Sequence, residues 1–158
     1  DGEIVYRAQI ETSQPFPHLE SIEFTLSPTW QPRVLRMTSE HEKGKATYEG
    51  QAVEGRWEIE IVDGQGKATH YGFPYDKHTE LDDLSPIFNI VTFQRLGLSP
   101  GHNREIQVIY MEPMVFTPKW AAQLYSRSDD EVIKVSAGEY VARHYRYRSL
   151  DKGWESDM

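Results

Sequence analysis

Residues 81–101 read LDDLSPIFNIVTFQRLGLSPG, the one stretch of this chain whose pattern predicts a helix. Ser85 suits the N-cap, where its hydroxyl can accept a backbone N–H. Pro86 then takes the first helical position, where a missing N–H costs nothing. Asp82 and Asp83 lie just upstream, at the positive end of the helix dipole. Gly97 suits the position past the last turn, where a left-handed backbone closes the helix, and Pro100 prevents its resumption. Between these signals Ile87, Phe88, Ile90, Val91, Phe93 and Leu96 leave only a narrow polar stripe of Asn89, Thr92 and Arg95. So wide an apolar surface has to be covered. The expectation is a plug helix over 85–97 held by a curved sheet.

The flanking sequence supplies that sheet. Ile4, Tyr6, Ala8 and Ile10 alternate with Val5, Arg7, Gln9 and Glu11, and Ile22, Phe24 and Leu26 alternate with Ser21, Glu23 and Thr25. Period-two alternation marks half-buried strands. The clearest case puts Trp57, Ile59 and Ile61 on one face and Arg56, Glu58 and Glu60 on the other. Pro15-Phe16-Pro17 interrupts the first strand, while the segment 41–44, Glu54-Gly55 and Asp63-Gly64 read as tight connections. Residues 74–80 read as a polar loop, residues 140–148 as the longest strand, and a further strand begins at Trp154. The count is about ten or eleven strands, joined mostly by turns of the length antiparallel neighbours use. The fold class is mainly β, as a single curved antiparallel sheet or an incompletely closed barrel around one helix, in one domain over 1–158.

Composition narrows the function. The 158 residues are 38% hydrophobic and 27% charged, a globular balance. A net charge of −8 argues against nucleic acid as a partner. No apolar run reaches the roughly 18 residues of a membrane span. Cysteine is absent, which excludes disulfides and Cys-ligated metal. The first residue is Asp1 rather than Met, which leaves room for a removed leader. Nine Tyr, four Trp and six Phe suit both a β-rich core and an aromatic-lined pocket.

From the helix onward, Asp83-Leu84-Ser85, a helix of about ten residues, Leu98-Ser99-Pro100-Gly101, a strand, and Ala137-Gly138-Glu139-Tyr140 with a long strand resemble the bacterial DUF3108-type proteins. Those are similar in outline to the clamshell of the lipoprotein carriers LolA and LolB, an unclosed barrel with a helical plug. The resemblance covers residues 80–158. It implies a pocket for something apolar between sheet and helix, and a place in the bacterial cell envelope.

Three constellations carry possible chemistry. The first joins His70, Tyr71, Asp76 and His78 just before the helix. Imidazole beside carboxylate is the usual acid–base unit, because it titrates near neutral pH. Within it Asp76, His78, Glu80 and Asp82 alternate, but the spacing matches no metal motif, so neither metal nor cofactor is expected. The second lies in 140–148, where alternation sets Arg143, Tyr145 and Tyr147 on one face; Arg143 there could hold an anionic head group. The third gathers Met114 and Trp120 with Met111 and Phe116 around Pro113 and Pro118. A ligand between sheet and helix would also meet Trp57, Phe88 and Tyr110.

These residues suit a module binding a lipid or other hydrophobic small molecule. They also suit a cofactor-independent cyclase, isomerase or hydratase. In that case His70 or His78 and Asp76 would serve as acid and base, with Tyr71 or Tyr145 as hydrogen-bond donor. Oligomeric state is left open by the sequence.

Overall fold

A computed structural model describes residues 2–13, 17–42, 44–83, 85–153 and 155–158. The expected interruption at Pro15-Phe16, the Lys43 position of a hairpin loop, Leu84, and the strand start at Trp154 lie outside these residues. The first half of the chain is a six-stranded antiparallel meander: β1 (Ile4–Thr12), β2 (His18–Leu26), β3 (Pro32–His41), β4 (Gly44–Val53), β5 (Arg56–Val62) and β6 (Ala68–Pro74). Each strand pairs with the next in sequence. Trp57, Ile59 and Ile61 turn inward as their alternation requires. Glu54 and Gly55, both at positive φ, make the β4–β5 turn.

After β6 the chain enters a second sheet through a short strand, β7 (Glu80–Asp82), followed by the helix α1 (Pro86–Leu96). Next come β8 (Asn103–Met111), β9 (Pro118–Arg127), β10 (Glu131–Val135), β11 (Gly138–Ala142), β12 (Tyr145–Ser149) and β13 (Glu155–Asp157). This sheet has the order β13-β12-β9-β8-β7, while β10 and β11 form a separate hairpin. The β7–β8 pair is parallel, because α1 carries the chain across between them.

The mainly β, antiparallel, unclosed architecture with one helix is therefore present, spread over three sheets and thirteen strands among the described residues. Two details depart from expectation. The polar loop ends early: Glu80 to Asp82 is a buried strand, since its carboxylates find partners on distant elements. The strand over 140–148 breaks at Arg143-His144. Up to Ala142 the chain pairs with β10, and from Tyr145 it pairs with β9, so two partners divide one alternating run.

The helix caps follow the sequence. Ser85 accepts the Ile87 N–H, and Gly97 sits at φ 54° with its N–H on the Phe93 carbonyl. The orientation of α1 was less legible. Ile87, Phe88 and Val91 enter the main core, where Phe88 meets Phe24 with ring centroids 5.3 Å apart. Trp57 and Tyr48 are wholly buried in that core, and the indole donates to the Tyr48 hydroxyl at 2.7 Å. Gly50 beside them leaves room for the pair: a Cβ there would lie 2.6 Å from the hydroxyl. A second cluster on the five-stranded sheet holds Val108, Tyr110, Tyr125 and Tyr145, with Phe93 of α1 stacked on Tyr145 at 4.0 Å. Thus α1 packs on two cores. Its polar stripe of Asn89, Thr92 and Arg95 faces inward, and Ile90 is left 45% exposed.

Candidate functional site: a cleft beside the helix

The inward polar stripe meets a buried polar network. Arg95 reaches Glu80 at 2.7 Å and also donates to the carbonyls of Thr79 at 3.1 Å and Lys77 at 2.7 Å. Tyr125 on β9 places its hydroxyl 2.9 Å from Asn89 Oδ1 and 3.2 Å from Gln123 Oε1. Gln123 Nε2 donates to the Asp82 carboxylate and lies 3.3 Å from the Tyr147 hydroxyl. Burial pushes the Asp82 carboxyl up to about 6, against the pull of the Gln123 bond and the Asp83 N–H. Burial likewise raises Glu80, to about 8, with the Arg95 guanidinium opposing it.

This network forms one wall of an open cleft of about 450 Å³ between α1 and the five-stranded sheet. Pro86, Ile90 and Phe93 come from the helix, Tyr110 from β8, Tyr147 from β12, and Met158 from the segment after β13. Asp82 and Asp83 lie at its buried end. The lining is mostly apolar with a few convergent polar groups, the usual make-up of a small-molecule site, and the volume falls in the usual range. Tyr110 and Tyr147 also belong to an adjoining cleft of about 240 Å³, bordered by Lys119, Trp120, Asp151 and Lys152.

The structure gathers some of the residues singled out in the sequence and scatters others. Tyr110 and Tyr147 line the cleft, and Tyr145 supports it from beneath Phe93. Trp120 is 43% exposed beside the second cleft, edge-on to Phe73 at 5.6 Å. Trp57 and Phe88 are filled core, and Met114 is half-buried at φ 66° in the β8–β9 connection. Arg143 is exposed at the break between β11 and β12, outside the strand that carries Tyr145 and Tyr147.

The acid–base candidates do not meet. His70, with its side chain 70% exposed, stands on the outer face of the meander beside Glu60 at 3.5 Å. Tyr71 packs against the main core from the opposite face. Asp76 and His78 are exposed in a turn, where the Asp76 carboxylate accepts the His78 N–H at 2.8 Å; this bond holds it below the usual carboxylate range. Both border a charged depression with Arg104 and Glu105 rather than the apolar cleft. Asp76 and His78 face solvent while Glu80 and Asp82 are buried, so the four do not converge. No cluster of three metal-ligating side chains occurs among the described residues.

The family described as "Putative glycolipid-binding" matches residues 2–151. The chain belongs to that family. Its fold is shared with a DUF1089 family protein from Pseudomonas aeruginosa, known from a crystal structure. The two superpose with a TM-score of 0.69 at 23% identity, over 99% of this chain and 82% of that one. No curated protein matches the chain. This family takes the place of the DUF3108-type proteins and the LolA/LolB carriers that the sequence resembled; the curved antiparallel sheets and one helix expected from that resemblance are present.

Asp82, Asp83, Ile90, Phe93, Lys119 and Lys152 line these clefts without having been singled out as ligand-binding residues. The available signal was Arg95 on a largely apolar helix close in sequence to Glu80, since a cation on a packed face needs a carboxylate partner. No helix among the described residues is long and apolar enough to cross a membrane.

Proposed function

We propose that the protein binds a glycolipid, with the apolar chain lying in the cleft along Pro86, Ile90, Phe93 and Met158. The observation that carries this reading is the cleft itself: about 450 Å³, walled by apolar side chains and ending on buried carboxylates. Apolar walls contribute roughly 25 cal/mol for each Å² of chain removed from water. Tyr110 and Tyr147 offer ring faces at the mouth, where a sugar ring can pack. The family's description supports the same ligand class. The lipoprotein carriers enter as an analogy of shape, a lipid held between sheet and helix. In this chain the space between the meander and α1 is filled by Phe24, Trp57 and Phe88, so the ligand's place shifts to the other side of the helix.

Native mass spectrometry with a monogalactosyl diacylglycerol tests the reading. Wild-type protein should retain one lipid, while free galactose should not bind. Ile90→Asp should weaken retention at least tenfold and leave the melting temperature nearly unchanged, because Ile90 is already 45% exposed. Absence of a lipid complex in the wild type, or equal retention by Ile90→Asp, would overturn it.

A further inference from the structure

The hairpin of β10 and β11 belongs to neither large sheet, and every residue from Glu131 to Val141 is exposed. Val132, Ile133, Val135, Tyr140 and Val141 are 41–74% exposed, five large hydrophobic side chains close together in sequence. Val132 opposes Val141, and Ile133 opposes Tyr140. Side chains alternate along a strand, so Val132 and Val141 occupy one face of the ribbon and Ile133, Val135 and Tyr140 the other. Both faces are therefore apolar. A two-stranded ribbon is marginal in water, so this one gains from whatever covers it. A protein partner laid on one face would leave the other bare, whereas a lipid layer closes around a ribbon and covers both.

Charge and reach say which lipid surface fits. Between residues 132 and 142 the only charged side chains are Lys134 and Glu139, and these pair at 3.0 Å. The tip, Val135-Ser136-Ala137-Gly138, is uncharged, and the Tyr140 hydroxyl donates to the Ala137 carbonyl at 3.2 Å. At the foot Asp129 and Glu131 outnumber Arg143, and Arg127 pairs with Asp130. A chain of net charge −8 thus gains nothing here from anionic head groups. Strands of five residues reach about 17 Å, more than the roughly 5–10 Å to which interfacial segments sink. The foot also adjoins the cleft beside α1. Tyr145 exchanges both backbone hydrogen bonds with Met158 at 2.8 Å, and Met158 lines that cleft. From Ala142 to Tyr145 the backbone spans at most about 11 Å.

We propose that the β10–β11 hairpin docks the protein on an uncharged lipid surface, its tip and the flanking Val132, Ile133, Tyr140 and Val141 entering the head-group layer. The docking contact goes beyond the glycolipid reading and does not depend on it; where both hold, the docked foot sets the cleft next to the lipid.

Flotation with phosphatidylcholine vesicles tests the contact. Wild-type protein should float with them, keep doing so at high salt, and bind less rather than more when phosphatidylglycerol is added. Val132→Asp/Val141→Asp should lower the partition coefficient at least tenfold, while Val5→Asp/Val53→Asp, an equal change of charge at exposed positions of the meander, should leave it unchanged. The chain has no cysteine, so Ala137→Cys carrying an environment-sensitive fluorophore reports on the tip alone. Its emission should shift to the blue on vesicles, and that of Gln65→Cys in the β5–β6 turn should not; this readout stands even where the aspartate pair disturbs the ribbon. No flotation of the wild type, full flotation of Val132→Asp/Val141→Asp, or an unshifted probe at position 137 would overturn the proposal. So would a dimer in sedimentation velocity that Val132→Asp/Val141→Asp dissolves in the absence of vesicle binding, since a second copy would then be what covers the ribbon. Retention of monogalactosyl diacylglycerol in native mass spectrometry is read separately. Lost flotation with retention intact removes the docking surface alone, and the converse removes the cleft reading alone.

Discussion

Asp82 offers the sharpest test of how the buried network is built. Its carboxyl titrates at about 6 in the folded chain against 3.8 in the open chain. Between those values the folded protein keeps a proton that the unfolded protein releases, so stability falls as pH rises through the window and levels off above it. Each pH unit of separation is worth about 1.4 kcal/mol, so ionised Asp82 costs about 3 kcal/mol at pH 7.5 and almost nothing at pH 3.5. Asp82→Asn keeps an oxygen for the Gln123 amide and cannot ionise. Relative to the wild type, the variant should gain up to about 3 kcal/mol as pH is raised from 3.5 to 7.5, with the change centred between 4 and 6. Glu80 is present in both proteins, so its own titration largely cancels in the difference. An altered amide contact adds only a pH-independent offset. Urea unfolding followed by tryptophan fluorescence at six or seven pH values gives the difference curve directly. A flat curve, or a variant that loses ground as pH rises, would refute the claim that Asp82 is a carboxylate held against its solvation preference.

Other outcomes follow from the same packing. Trp57→Phe removes the indole N–H that donates to the buried Tyr48 hydroxyl and should cost about 2–3 kcal/mol in urea unfolding at neutral pH. Gly50→Ala drives a methyl into that hydrogen bond and should cost about 2–3 kcal/mol; a neutral result would mean that Tyr48 and Trp57 can shift together. Gly97→Ala meets no atom within 4 Å, so it should cost only the left-handed backbone penalty of about 1 kcal/mol, read as a small drop in melting temperature. Arg95→Met strips donors from Glu80 and two carbonyls and should destabilise by about 3 kcal/mol or more, with the loss greatest above pH 8, where Glu80 would be left charged.

The parts of the fold legible in the sequence are those set by local rules. Ser85, Pro86 and Gly97 bracket the helix because capping involves only a few neighbouring groups, and Trp57-Glu58-Ile59-Glu60-Ile61 declares its two faces by alternation. The parts that were not legible depend on remote partners. Glu80 reads as the end of a polar loop and Asp82 as charge upstream of the helix, since both are acidic; they are buried because Arg95 and Gln123, fifteen and forty-one residues away, reach them. The break at Arg143-His144 leaves no mark in the alternation, since the change is one of pairing partner. The candidate site suffered from the same limit. Tyr110 and Tyr147 stood out as aromatics on strands, but whether a tyrosine faces a cleft or fills a core depends on how α1 is rotated between two sheets.

The neighbour-to-neighbour pairing of β1 through β6 also bears on how the molecule assembles. Each of those pairings closes a short loop at small entropic cost, so the meander can zip up hairpin by hairpin. The five-stranded sheet mixes two kinds of pairing: β8 meets β9 and β12 meets β13 as sequence neighbours, while β7 must find β8 across the helix and β12 must pass over a whole hairpin to reach β9. Those two longer closures cost more chain entropy than a hairpin turn. The cleft that Tyr110 and Tyr147 wall is therefore complete only once both of those closures have been made, whereas the core around Trp57 needs none beyond its own hairpins.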